Sequence, residues 1–185
     1  MALRQILTEP DKILREKSLK VNQVDEDLQK LMDDMLETMY AAPGIGLAAI
    51  QVGVPKRVIV LDIGWRNKSE STNDEKQVVR KNPMHFVNPE IITKSANNSI
   101  YEEGCLSVPG QFAEIERPDK CHIKYLDYYG QPKELVAEGT LATCIQHEID
   151  HLEGILFIDY LSKLKKSMIV KKLLKQKEQI GRIVI

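Results

Sequence analysis

Residues 144–154 read CIQHEIDHLEG, with two histidines four apart and a glutamate directly after the first. On an α-helix, positions i and i+4 lie one turn apart on the same face, so His147 and His151 can present imidazoles to one point. Glu148 sits about 100° further round, too far to be an equal ligand but close enough to reach a water held there. This H-E-x-x-H spacing suits a metal ion held by two histidines, with the glutamate as general base. The bland reading is an amphipathic helix with Ile145, Ile149 and Leu152 inward and the histidines at its margin. Two imidazoles do not complete a site, so a third ligand has to come from elsewhere in the chain.

Other candidates are Cys105, Cys121, Cys144, His85, His122 and the carboxylates. Cys144 is on the same helix as His147, where the backbone makes joint ligation awkward, although its thiol can line an adjacent pocket. Cys121 and His122 fall within a strand and are expected to pack. His85 adjoins a polar stretch and is expected at the surface. Cys105 differs: it lies in YEEGCLSVPG, which reads as an irregular segment between a glycine and a Pro-Gly pair. One thiolate with two imidazoles makes a three-ligand set that leaves a tetrahedral fourth position open to water. The string GIGLAAIQ, residues 44–51, adds small residues over which a substrate can pass closely. It also adds Gln51, a neutral amide able to donate a hydrogen bond without competing for the metal.

These residues need a frame. Leu28, Leu31, Met32, Met35, Leu36, Met39 and Tyr40 recur at helical spacing, which predicts a helix from Asp25, its cap, to Tyr40, stopped by Pro43-Gly44. RVIVLDI and HFVNPEIITK read as strands. CHIKYLDYY and KELVAE flank Gly130-Gln131-Pro132 as strand, turn, strand between Glu114 and Ala137. The stretch 66–82 is polar and reads as a solvated loop or hairpin tip. Gly139 or Thr140 opens the helix that bears HEIDH, and Gly154 ends it as a left-handed cap. From about Ser162 to Gln179 the chain reads as a lysine-rich helix, with Leu161, Leu164 and Met168 as its anchoring stripe. Strands before a central helix, with a helix at each end, give an α+β class: antiparallel or mixed sheets packed around a metal-binding helix.

At 185 residues the chain suits one domain, 1–185, with 43% apolar and 29% charged residues. A net charge of −1 gives no global case for binding nucleic acid. No apolar run approaches a membrane span, so no membrane partner is expected. Three scattered cysteines and an N-terminus without a signal-like apolar stretch favour a reducing, cytoplasmic setting.

Together GIGLAAIQ, EGCLS (103–107) and QHEIDH (146–151) resemble the three motifs of the peptide deformylase family, in that family's order and spacing. The resemblance continues through ILTEPDKILR, VNPEI and FIDYLSKLKK, and so covers nearly the whole chain. It implies a bacterial-type enzyme that removes the formyl group from the N-terminal formyl-methionine of newly made polypeptides, releasing formate. It implies one divalent ion held by Cys105, His147 and His151. The ligand set alone favours zinc; the family points to ferrous iron in the cell, with zinc, nickel or cobalt accepted. Glu148 is then the general base, and the Leu106 N–H and the Gln51 amide stabilise charge on the formyl oxygen.

Thr140, Thr143 and Cys144 share a helix face with His147 and, with Gly44, Ile45 and Gly46, are the expected walls of the methionine pocket. Glu103 and Asp150 are expected to orient ligands or to pair with Arg117, with plain exposure the alternative for Asp150. Phe112 departs from some bacterial members, which carry an arginine there. The basic tail, about 162–180, resembles helices that dock deformylases on the ribosome. Two rivals are weighed: a zinc endopeptidase, and a structural Cys-His module closed by Cys121 or His122.

Overall fold

Asp25 caps the first long helix, α1 (Glu26–Ala41), by accepting from Leu28 N at 2.9 Å, as the sequence predicts. The computed structural model describes residues 2–64 and 81–183. The polar stretch expected as a loop from 66 to 82 therefore lies outside the described residues, apart from its last two. After α1 come β1 (Gly46–Ala48), a 3₁₀ turn (Ala49–Val52) and β2 (Val58–Leu61). Five strands follow: β3 (Met84–Lys94), β4 (Asn98–Cys105), β5 (Val108–Pro118), β6 (Lys120–Leu126) and β7 (Pro132–Glu138). The chain ends with α2 (Gly139–Leu152), a 3₁₀ turn (Phe157–Tyr160) and α3 (Lys163–Ile183).

The strands form an antiparallel five-stranded sheet in the order β1-β2-β3-β6-β7 and a separate antiparallel ribbon, β4-β5. Side chains along β2 alternate between two cores. Ile59 and Leu61 join Phe86, Ile123, Ile145, Ile149 and Leu152 on the α2 face. Val58 and Val60 join Met32, Met35 and Met39 on the α1 face. This explains why VIVL is apolar throughout: both faces of β2 are covered, and all four residues are buried. Each such side chain, moved wholly from water, contributes roughly 1.5–3 kcal/mol. A third cluster, with Val108, Ile115, Leu156, Phe157, Ile158 and Leu173, fastens the ribbon to the C-terminal segment. The fold is thus α+β with antiparallel sheets around the helix that carries HEIDH.

Three expectations need correction. Cys105 is not in an irregular segment; it ends β4, where a register shift between Gly104 and Cys105 breaks the pairing before the turn. The ribbon was hidden because its outer face carries glutamates, including the directly opposed Glu102 and Glu114, instead of a strand-like apolar alternation. His85 is not a surface residue: it is half-buried in β3, where it pairs with Val60 of β2 and lies edge-on to Tyr128 at 4.9 Å. The anchoring stripe of α3 also differs in part. Leu161 packs inward as expected, but Leu164 and Met168 are 72% and 63% exposed, while Ile169, Val170 and Leu173 pack inward. Lys166 completes that stripe at i, i+3, i+4, i+7, with its ammonium 2.6 Å from Asp159. A lysine inside the docked face is what misled the apolar count.

Candidate active site

Helix α2 lies against β1, β2, β6 and β7 and buries most of its length. Gly154, just beyond it, takes φ +73°, and a side chain there would run into the Arg15 backbone 2.5 Å away. The helix end therefore lies against the N-terminal segment, where Ser18 N also donates to Leu152 O at 2.8 Å. The two imidazoles sit 5.1 Å apart, centre to centre.

Cys105, from the tip of the β4-β5 ribbon, meets them. Its Sγ lies 3.2 Å from His151 Nε2, and one ligating atom from each of Cys105, His147 and His151 lies within 4.8 Å of the others. Among the described residues this is the group of histidine, cysteine and carboxylate side chains able to hold a metal; Cys121 and His122 stand apart on β6. Cys121 is buried as expected, but His122, also expected to pack, faces outward against Glu134 at 2.9 Å, because successive strand residues point to opposite faces. The donor set fits a divalent ion: one sulfur and two imidazole nitrogens converging from two elements. His147 Nδ1 is held by Glu103 Oε2 at 2.8 Å, which leaves Nε2 for the ion. Two donors already aim at the sulfur, Ser107 N at 3.4 Å and Gln51 Nε2 at 3.5 Å.

Electrostatics divide the pair of histidines. Burial works against charge on His147, but contacts with Cys105 and Glu103 carry its pKa well above the ordinary value. Burial, joined by the charges of His147, Arg117 and Arg15, pushes His151 well below it. Glu148 is fully enclosed, and burial pushes its carboxyl up to about 7 against the pull of His147. Its Oε2 has no hydrogen-bond partner among the described residues, so it is available to a molecule entering the site.

A cleft of about 430 Å³ opens onto this group. Gly44, Ile45, Gly46, Gln51, Leu106, Thr140, Thr143 and Cys144 all line it, as do Cys105, His147 and Glu148. The structure thus brings every expected site residue to one place, with His151 set behind the cleft wall. Gly46 is required by close approach, since a Cβ there would strike the Glu148 carboxylate. Gln51 is held at both ends: its Oε1 accepts from Ala48 N at 2.9 Å and its Nε2 donates to Ser107 Oγ at 3.0 Å.

Behind the ligands runs a buried polar chain. Arg117 binds Glu103 through Nε at 2.5 Å and Nη2 at 3.0 Å, and Asp150 through Nη1 at 2.7 Å. Asp150 also accepts from Tyr160 OH at 2.8 Å, so it is a pairing residue and not simply exposed. Phe112 is exposed, with its ring over Gly104.

Several contributors escape a reading of the sequence. Ser107 links Gln51 to Cys105, and its place two residues after the cysteine was the available signal. Tyr101 lines the cleft mouth from β4. Phe157 stacks on His147 with centroids 6.3 Å apart, and Tyr160 lies under the Arg117 guanidinium at 4.9 Å. Nothing local marks these last two, which come from a segment beyond the helix.

Comparison with known proteins is consistent with this geometry. The sequence pattern of the polypeptide deformylase family matches residues 3–167. A peptide deformylase of Pelagibacter ubique is 60% identical over 185 residues, covering all of both chains. One of Maricaulis maris is 58% identical over 175 residues, covering 95% of this chain and 94% of its own. The crystal structure of peptide deformylase from Ehrlichia chaffeensis superposes with a TM-score of 0.87 at 42% identity, covering 96% of this chain and 98% of that one.

Proposed function

This chain belongs to the polypeptide deformylase family, and from that membership we propose that it removes the formyl group from the N-terminal formyl-methionine of newly made polypeptides, releasing formate. One observation carries the reading: a single cleft is lined by the Cys105 and His147 ligands, the enclosed carboxylate of Glu148 and the small residues of GIGLAAIQ.

Cys105, His147 and His151 would hold one divalent ion, ferrous iron in the cell. Such an ion supplies Lewis-acid activation of water and polarisation of the formyl oxygen. Glu148 accepts the proton of the attacking water and passes it to the leaving amine. An enclosed carboxylate with an unpartnered oxygen suits both steps, because the same group must take up and release one proton per turnover. The Leu106 N–H and the Gln51 amide stabilise the charge that develops on the formyl oxygen. Ser107 and Ala48 hold the Gln51 amide in place, and its second N–H, on Cys105 Sγ at 3.5 Å, is the one that turns to the substrate. Glu103 fixes the ring of His147, and Arg117 in turn fixes Glu103. Ile45, Thr143 and Cys144 enclose the first side chain, with Gly44 and Gly46 allowing close approach of the peptide.

We place the reaction in the cytoplasm, on nascent chains, within one domain spanning 1–185. Among the described residues no helix is long and apolar enough to cross a membrane. Helix α3 serves as a ribosome dock in this reading: residues 163–177 carry seven lysines and no acidic residue. The exposed Leu164 and Met168 add an apolar strip beside them. Charge reversal at Lys171, Lys172 and Lys175 should weaken co-sedimentation with ribosomes, most at low salt, without loss of turnover on short peptides. The decisive assay is formate release from formyl-methionyl peptides, with metal content measured on the same sample. Cleavage of blocked internal peptides without formate would instead mark an endopeptidase.

A further inference from the structure

The wall of the cleft formed by α2 holds a buried hydroxyl that the reaction does not use. Thr143 is 7% exposed and lines the cleft, and its Oγ1 is buried with no hydrogen-bond partner among the described residues. A helical threonine often returns its hydroxyl to the carbonyl one turn back. Thr38 does so in α1, donating to Asp34 O at 2.7 Å. Thr143 does not; Ser18 and Ser99 also have buried hydroxyls without a partner among the described residues, but of the three only Thr143 lines the cleft. Its neighbours are engaged: the Cys144 thiol faces Ile45 O at 3.9 Å, and Gln146 Nε2 donates to Pro118 O at 2.9 Å. What remains is whatever fills the cleft, water in the resting site and the substrate when it is bound.

Position identifies which part of the ligand. Thr143 precedes His147 by four residues, so it stands one helical turn, about 5.4 Å, along α2 on the same face. With the formyl carbon at the ligand group, the sulfur of an extended methionine side chain lies five bonds away, roughly 6 Å. The hydroxyl therefore meets the far end of that side chain. A thioether sulfur is a weak acceptor. Methionine sulfoxide places a polar oxygen at the same point. Burying that oxygen against a purely apolar wall would leave it unpaired, at a cost that excludes it. A free hydroxyl removes the objection, and at the mouth Thr140 and Tyr101 continue the polar side of the cleft.

Resting on the deformylase reading, we propose that Thr143 Oγ1 is the donor that reads the sulfur end of the substrate's first side chain. The cleft thereby accepts formyl-methionine sulfoxide beside formyl-methionine and disfavours the hydrocarbon isostere.

The test uses the metal-loaded full chain and three peptides that differ in the first residue: formyl-methionyl, formyl-methionine-sulfoxide and formyl-norleucyl. Wild type should process the sulfoxide within about tenfold of the methionine peptide in kcat/KM. Thr143→Val keeps the shape and removes the hydroxyl. It should lower the sulfoxide-to-methionine ratio by about tenfold or more and raise the norleucine-to-methionine ratio, while Thr143→Ser keeps wild-type ratios. Ratios within one sample cancel any loss of folded or metal-loaded protein. Unchanged ratios in Thr143→Val, or wild-type rejection of the sulfoxide by about 10³-fold or more, would overturn the proposal. No turnover of the formyl-methionyl peptide by the loaded protein would overturn the deformylase reading, and the pocket assignment with it.

Discussion

Helices α2 and α3 are both amphipathic and adjoin the same C-terminal 3₁₀ turn, yet they are held in opposite ways. In α2, ten of fourteen residues are buried, including Gln146, His147, Glu148 and His151. Its polar groups are fixed from behind by Glu103, Arg117 and the Pro118 carbonyl. In the described part of α3 only Leu173 is fully buried; Lys166 pairs with Asp159, and most of the surface is lysine in water. A helix that must hold three reacting groups to fractions of an ångström is enclosed on every side but one. Helix α3 is attached along one narrow stripe and leaves the rest of its described surface to solvent.

Substitutions should separate the two helices sharply. The largest effects lie in α2. Glu148→Gln should lose about 10²–10⁴-fold in turnover while retaining its metal, because Glu148 is not a ligand. His147→Ala and His151→Ala should lose metal and turnover together, and metal analysis beside the formate assay distinguishes the cases. Next comes the support behind the ligands. Arg117→Ala leaves the Glu103 carboxylate buried without its bidentate partner. It should cost about 3–5 kcal/mol of stability, read by urea unfolding, with weaker metal retention.

Effects in α3 should be smaller and confined to one face. Leu173→Ala should cost about 2–3 kcal/mol, near the low end for a core leucine, because it sits at the edge of its cluster. Leu164→Ala and Met168→Ala should stay within about 0.5 kcal/mol of wild type. A loss at Leu164 as large as that at Leu173 would erase the distinction between faces.

The smallest expected effect is a pH dependence at the foot of α3. Burial raises the pKa of Asp159, but Lys166, the Leu156 N–H and Arg15 outweigh it and hold the carboxyl below its ordinary value. A carboxyl depressed in the folded state stabilises above its unfolded pKa and loses that contribution as pH falls through its folded value. Wild type should therefore lose more Tm than Asp159→Asn between about pH 5 and pH 3, by an amount worth under about 1 kcal/mol at this partly exposed site.

The chain's local patterns determined a good deal. The i, i+4 spacing of His147 and His151 specified a shared helix face before any fold was known, since helical geometry depends on spacing alone. The Asp25 cap and the period of Leu28, Leu31, Met32 and Met35 did the same for α1. Cys105 was singled out by its glycine and proline neighbours, although its position at the end of a paired strand was not visible. Tertiary structure decided what no local pattern encodes. The glutamate-rich β4-β5 ribbon is a strand pair because Val108 and Ile115 bury against Phe157 and Leu173, far along the chain. The docked face of α3 includes Lys166, whose side chain stays 40% exposed at the end of the stripe while its ammonium pairs with Asp159. Phe157 and Tyr160 reach the site only because Gly154 turns the chain back against Arg15. Thr143 shows the division within one residue: spacing put its hydroxyl on the face of His147, but only packing could leave that hydroxyl buried and without a partner.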